Sequence, residues 1–180
     1  MRSRNLTERS RIERNGNPET PQQPGMIASD ADPYDLARFI AAQEPAIDRV
    51  RAELRAGRKV SHWMWFVFPQ IAGLGRSETA RFYAIRSREE AVAYLAHPVL
   101  GPRLVECTRL INAVKGSTAE QILGHVDAMK FHSCLTLFAA VDAGQPEFAE
   151  ALRRYFGGAP DRATLDCIQP GPGSVGTNLT

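Results

Sequence analysis

Most of the features that would announce a function at once are missing from this chain. No apolar run approaches the roughly 20 residues of a membrane span, and no apolar segment of signal-peptide type stands near Met1. Charge of either sign is not in excess: 22 basic residues face 20 acidic ones, a net +2, far from the basic surplus that marks a nucleic-acid partner. The three cysteines, Cys107, Cys134 and Cys167, are an odd number without close spacing, and each lies in apolar surroundings that suit a reduced thiol. A reducing cytoplasm is the expected compartment. The four histidines and three cysteines form neither Cys-x-x-Cys nor His-Glu-x-x-His, and His132-x-Cys134 offers too few ligands, so no metal and no cofactor is expected. A Gly-x-Ser-x-Gly nucleophile elbow is absent as well.

What is present divides the 180 residues into a middle and two ends. Residues 1–31 carry five arginines before Asn15, then Pro18, Pro21 and Pro24, with almost no aliphatic periodicity. Such a segment cannot offset the entropy of ordering and reads as a flexible tail. Met26 lies just ahead of the patterned region, which leaves open whether residues 1–25 belong to the native protein. Residues 169–180 open with Gln169-Pro-Gly-Pro-Gly173 and read as a second flexible tail.

Residues 32–168 read as one all-α domain. Asp32-Pro33 sets a capping carboxylate before a proline, and Leu36, Phe39 and Ile40 then share a stripe. Pro45 predicts a break near Glu44, after which Ile47, Val50 and Leu54 continue to a stop at Gly57. Ser87 to Glu90 and Ser117 to Glu120 both have capping-box spacing. Further helices are expected over about 98–114, 127–141, 146–156 and 161–168, and no Asn-Gly or Asp-Gly turn argues for hairpins.

Three places could carry chemistry. The run Ser61-His-Trp-Met-Trp-Phe-Val-Phe-Pro-Gln70 holds both tryptophans between polar His62 and Gln70. Buried aromatic core explains Trp63, Phe66 and Phe68; a pocket wall explains the indole donors of Trp63 and Trp65. The Gly73-Leu-Gly75-Arg-Ser77 loop could bring an anion to backbone amides ahead of a helix. On the helix from Asp127, the residues Asp127, Lys130 and Ser133 occupy one arc and apolar side chains most of the rest. Lys130 then either pairs with Asp127 or enters a polar cavity. His97 and Arg103, at a helix junction, are candidates for capping or for ligand contact.

The strings from Gly57 to Gln70, Gly73-Leu-Gly75-x-Ser77, Tyr94-Leu-Ala-His-Pro-Val-Leu-Gly-Pro-Arg-Leu104 and Asp127-x-x-Lys130-x-x-Ser133-x-x-Thr-Leu-Phe138 resemble the bacterial domain-of-unknown-function 1810 family. The resemblance runs from about Pro33 to Ile168, with Cys134 and Leu123 where that family shows serine and phenylalanine. It implies a compact all-α domain and no activity; the label "calpastatin" attached to some members matches nothing in this chemistry. In motif order the chain is also similar to the small α-helical NADAR proteins, which act in ADP-ribose and NAD-related metabolism.

Two functions are therefore expected. In the first, an anionic, nucleotide-like molecule such as an ADP-ribose or NAD derivative is bound by Trp63, Trp65, Gln70, Gly75, Ser77, His97, Arg103 and Ser133. Any hydrolysis would then use His62, Asp127 and Lys130. In the second, the same residues are core and caps of a non-catalytic module for a protein partner. Neither membrane nor nucleic acid is an expected partner.

Overall fold

The computed structural model describes residues 32–168; the tails expected at 1–31 and 169–180 lie outside the described residues. Among the described residues ten helices follow one another: α1 (Ala37–Gln43), α2 (Ile47–Arg55), α3 (Met64–Val67), α4 (Glu78–Phe82), α5 (Arg88–Ala96), α6 (Leu100–Ala113), α7 (Ala119–Leu123), α8 (His125–Val141), α9 (Pro146–Phe156) and α10 (Arg162–Ile168). No strand occurs among the described residues, where extended pairing is confined to an isolated parallel bridge between Ile71 and Ile85. The all-α expectation holds. No described helix is long and apolar enough to cross a membrane.

Local signals place the helix ends. α1 begins at Ala37 and not at the expected Pro33, because Asp32 to Asp35 form a turn with Asp35 at φ +53°, and the Asp32 carboxylate accepts the amides of Leu36 (2.8 Å) and Ala37 (2.9 Å) beyond it; the break at Pro45 separates α1 from α2, and Gly57 ends the latter in the left-handed region at φ +65°. Ser87 accepts the Glu90 amide as expected, at 3.1 Å, but the Glu90 carboxylate turns to Arg38 and the Arg86 amide, so the first expected capping box is only half made. The second capping box is one residue later than its predicted position. Thr118, not Ser117, accepts the Gln121 amide, and the Gln121 side chain returns to the Thr118 amide. A Thr-x-x-Gln box satisfies the same two orphan donors as Ser-x-x-Glu, so spacing alone could not separate the two registers.

Two helices organise the core. α6 packs on α2, α5 and α9, and α8 on α5, α7, α9 and α10. α8 buries Phe131, Cys134, Leu135, Leu137 and Phe138 completely, because its apolar residues run around the axis instead of forming one stripe. The aromatic segment closes the core from one side: Trp63, Met64 and Phe68 are buried, and the Phe68 ring meets Phe131 of α8 edge-on at 4.9 Å.

A buried ion pair joins α1 to α5. Arg38 Nη2 lies 2.6 Å from Glu90 Oε1, with side chains 2% and 1% exposed. The other guanidinium donors reach the carbonyls of Tyr34, Asp35, Phe82 and Ala84, so a single side chain ties down two stretches of backbone. One of those carbonyls belongs to Asp35, which is held at φ +53°. Glu90 Oε2 accepts the Arg86 amide at 2.9 Å, leaving neither carboxylate oxygen unpaired. Removing one partner strands the other charge in a dry interior, so Arg38→Ala is expected to cost about 3–5 kcal/mol, measured by urea unfolding at neutral pH; a loss under 1 kcal/mol would contradict this account.

Candidate functional site

The polar arc of α8 meets partners from opposite ends of the chain. Lys130 Nζ lies 2.8 Å from Asp127 Oδ1 and 4.5 Å from the Trp65 ring centroid. The other Asp127 oxygen, Oδ2, takes Lys59 Nζ at 2.7 Å, and that ammonium lies 5.1 Å from the Trp63 ring centroid. Burial would raise the Asp127 pKa, but the hydrogen bonds and charges of Lys130 and Lys59 outweigh it and hold the carboxylate below its usual range. Two ammoniums thus share one carboxylate.

Beside them the Glu53 carboxylate at the end of α2 fixes the start of the aromatic segment. It accepts the Ser61 hydroxyl (2.6 Å), the Val60 amide (2.9 Å) and the Trp63 indole N–H (2.8 Å). Burial acts to raise its pKa; these donors override burial and bring it to about 2.

One turn beyond Lys130, Ser133 donates to Asp161 Oδ2 at 2.9 Å. The same oxygen receives the Thr164 hydroxyl at 2.5 Å and the Thr164 amide at 3.1 Å, which closes the N-terminus of α10. The Asp161 amide in turn donates to Thr136 Oγ1 at 2.8 Å. Burial pushes the Asp161 carboxyl up, but the Thr164 and Ser133 donors, with His132 nearby, leave its pKa lowered. His132 stacks on Phe156 at 4.1 Å and 7°, and its Nε2 lies 2.7 Å from the Ala159 carbonyl. Since a carbonyl only accepts, Nε2 carries a proton.

Part of this network borders an open cavity of about 770 Å³. Lys130, Ser133 and Asp161 form part of its wall, Gln70, Leu74 and Gly75 another, and Tyr155 and Phe156 an aromatic patch. Val126 and Met129, more than half exposed, make an apolar rim. The candidate residues therefore separate. Gln70, Gly75, Lys130 and Ser133 face the cavity, and Trp65 and Asp127 hold Lys130 from behind. Trp63 is core, with its indole spent on Glu53. His62 is exposed and is not part of the cavity wall. Ser77 caps α4 through the Ala80 amide at 3.1 Å. His97 Nδ1 accepts the Val99 and Leu100 amides, and Arg103 pairs with Glu44 at 2.8 Å. The glycine loop has a packing explanation: a Cβ on Gly75 would come within 2.4 Å of the Ala80 Cβ, so glycine is needed there whatever the ligand. The helix it precedes has only five residues.

Lys59, Glu53, His132 and Asp161 are the participants that the sequence reading did not single out. Asp161 was expected inside the helix over 161–168; it stands just ahead of α10, and its link to Ser133 of α8 is a contact between distant parts of the chain.

With this geometry in view, comparison with known proteins is direct. The family model described as "Protein of unknown function (DUF1810)" matches residues 33–168. The chain belongs to this family. The DUF1810 domain is similar to the crystal structure of the conserved hypothetical protein Rv1873 from Mycobacterium tuberculosis, with 52% identity and a TM-score of 0.75 over 76% of this chain and 98% of that one. No curated protein matches the chain. The bounds expected from motif resemblance, Pro33 to Ile168, coincide with those of the DUF1810 match.

The depressed Glu53 pKa gives a pH signature. A carboxyl whose pKa falls from 4.5 unfolded to about 2 folded contributes stability that is complete above pH 4.5 and is lost as pH falls toward 2. Glu53→Gln is expected to flatten that acid limb in melting temperatures taken across the window; an unchanged slope would show that Glu53 is not held as described.

Proposed function

We propose that this DUF1810 domain binds an anionic, nucleotide-like small molecule, such as an ADP-ribose or NAD derivative, in the cavity beside α8. The observation that carries the reading is Lys130 in the cavity wall, whose partner Asp127 is shared with Lys59, one positive charge beyond what that carboxylate neutralises. Lys130 has three N–H donors and spends one on Asp127, so donors remain for a phosphate or carboxylate. The cavity volume lies within the ~300–1,000 Å³ of small-molecule sites, and the Tyr155 and Phe156 patch suits a planar base.

Binding fits these groups better than hydrolysis does. A carboxylate held anionic by two ammoniums has little appetite for a proton, which makes Asp127 a poor general base, and exposed His62 has no hydrogen bond among the described residues that would orient it. The second reading, a module for a protein partner, draws on the apolar rim of Val126 and Met129, which a polypeptide could cover.

Calorimetric titration of wild type and Lys130→Ala with AMP, ADP-ribose and NAD tests the proposal. The expected result is binding by wild type and a loss of about tenfold or more in the variant, the weight of one charge-assisted hydrogen bond. Absence of heat and of any thermal shift with wild type would overturn it.

A further inference from the structure

We propose that Asp161 is the specificity residue of this cavity and reads a sugar hydroxyl of the bound molecule through its free oxygen. This rests on the nucleotide-site reading above and adds which part of the ligand is recognised. The Asp161 carboxylate is occupied asymmetrically: Oδ2 receives the Ser133 hydroxyl, the Thr164 hydroxyl and the Thr164 amide, whereas Oδ1 has no partner among the described residues. Capping α10 and joining it to α8 therefore uses only one of its two oxygens. The other belongs to a residue of the cavity wall that is bonded to Ser133, three positions along α8 from Lys130.

An acceptor on that wall selects a ligand that brings a donor. A phosphate has none to offer at neutral pH and belongs at Lys130. A neutral hydroxyl suits Oδ1 better than an ammonium group does, because the carboxylate charge is already met by three donors and by nearby His132. A wall that carries both an ammonium, at Lys130, and a carboxylate oxygen, at Asp161, complements a phosphorylated sugar, which brings an anionic group and hydroxyls together.

Asp161→Asn isolates the free oxygen. The Thr164 backbone N–H can only donate, so the variant's amide oxygen must take the Oδ2 position and its NH2 group the Oδ1 position, with the helix cap intact. The ligand-facing acceptor becomes a donor while the fold keeps its contacts. The experiment is calorimetric titration with AMP, 2′-deoxy-AMP and 3′-deoxy-AMP of wild type, Asp161→Asn and Lys130→Ala. Wild type is expected to prefer AMP over at least one deoxy analogue by about tenfold, Asp161→Asn to lose that preference, and Lys130→Ala to weaken all three alike. Equal affinity of wild type for the three nucleotides overturns the assignment without need of any variant. So does an Asp161→Asn protein that keeps the wild-type preference, and in both cases the site itself survives if Lys130→Ala binds less well. A wild-type protein that binds none of the three takes the underlying reading down as well.

Discussion

A helix buried on nearly every side can carry polar groups only where other elements bring them partners, because an unpaired charge or hydroxyl in the interior costs more than the helix can return. α8 is such a helix, and its polar arc dictates how the neighbouring elements approach. Asp127 and Lys130 at one end need Lys59 and the Trp65 face, which places the α2 to α3 connection there. Ser133 and Thr136 at the other end need Asp161, which places the start of α10. The cavity opens along the arc, so the demands that fix the fold also supply the groups a ligand would meet.

The structural devices on either side of the arc are of different strength. Glu53 collects donors from Val60, Ser61 and Trp63 within ten residues of itself, a local clamp that sets the aromatic segment at its entry into the core. Arg38 and Glu90 instead close a loop of more than fifty residues, and their pairing also anchors the Phe82 to Ala84 backbone that leads to the Ile71 bridge partner, Ile85. The first device orders a segment; the second holds separate segments in register.

Much of the fold was legible because helices declare themselves locally. The stop at Gly57, the break at Pro45 and the apolar periodicity of α6 and α9 are all short-range signals, and the displaced capping box, Thr118 for Ser117, arose where two caps with the same chemistry stood side by side. The site was legible only in part. Lys130, Ser133 and Asp127 share an arc by helical arithmetic, whereas Lys59 and Asp161 join them through contacts across some 70 and 28 positions that no periodicity encodes. His97, Ser77 and Arg103 had the right chemistry but spend it on helix ends and on Glu44, since polar side chains at junctions serve the nearest orphan group first.

The cysteines complete the picture of which positions the fold withdraws from chemistry. Burial pushes the Cys107 thiol up to about 12 and Cys134 well above its ordinary value, while Cys167 on α10 stays exposed. A Cβ placed on Gly73 would lie 3.6 Å from the Cys167 sulfur. A maleimide dye therefore discriminates among three thiols without mutagenesis, and the one it finds stands against the turn leading into Gly75. The natural sequence already carries an attachment point for an optical reporter beside the cavity.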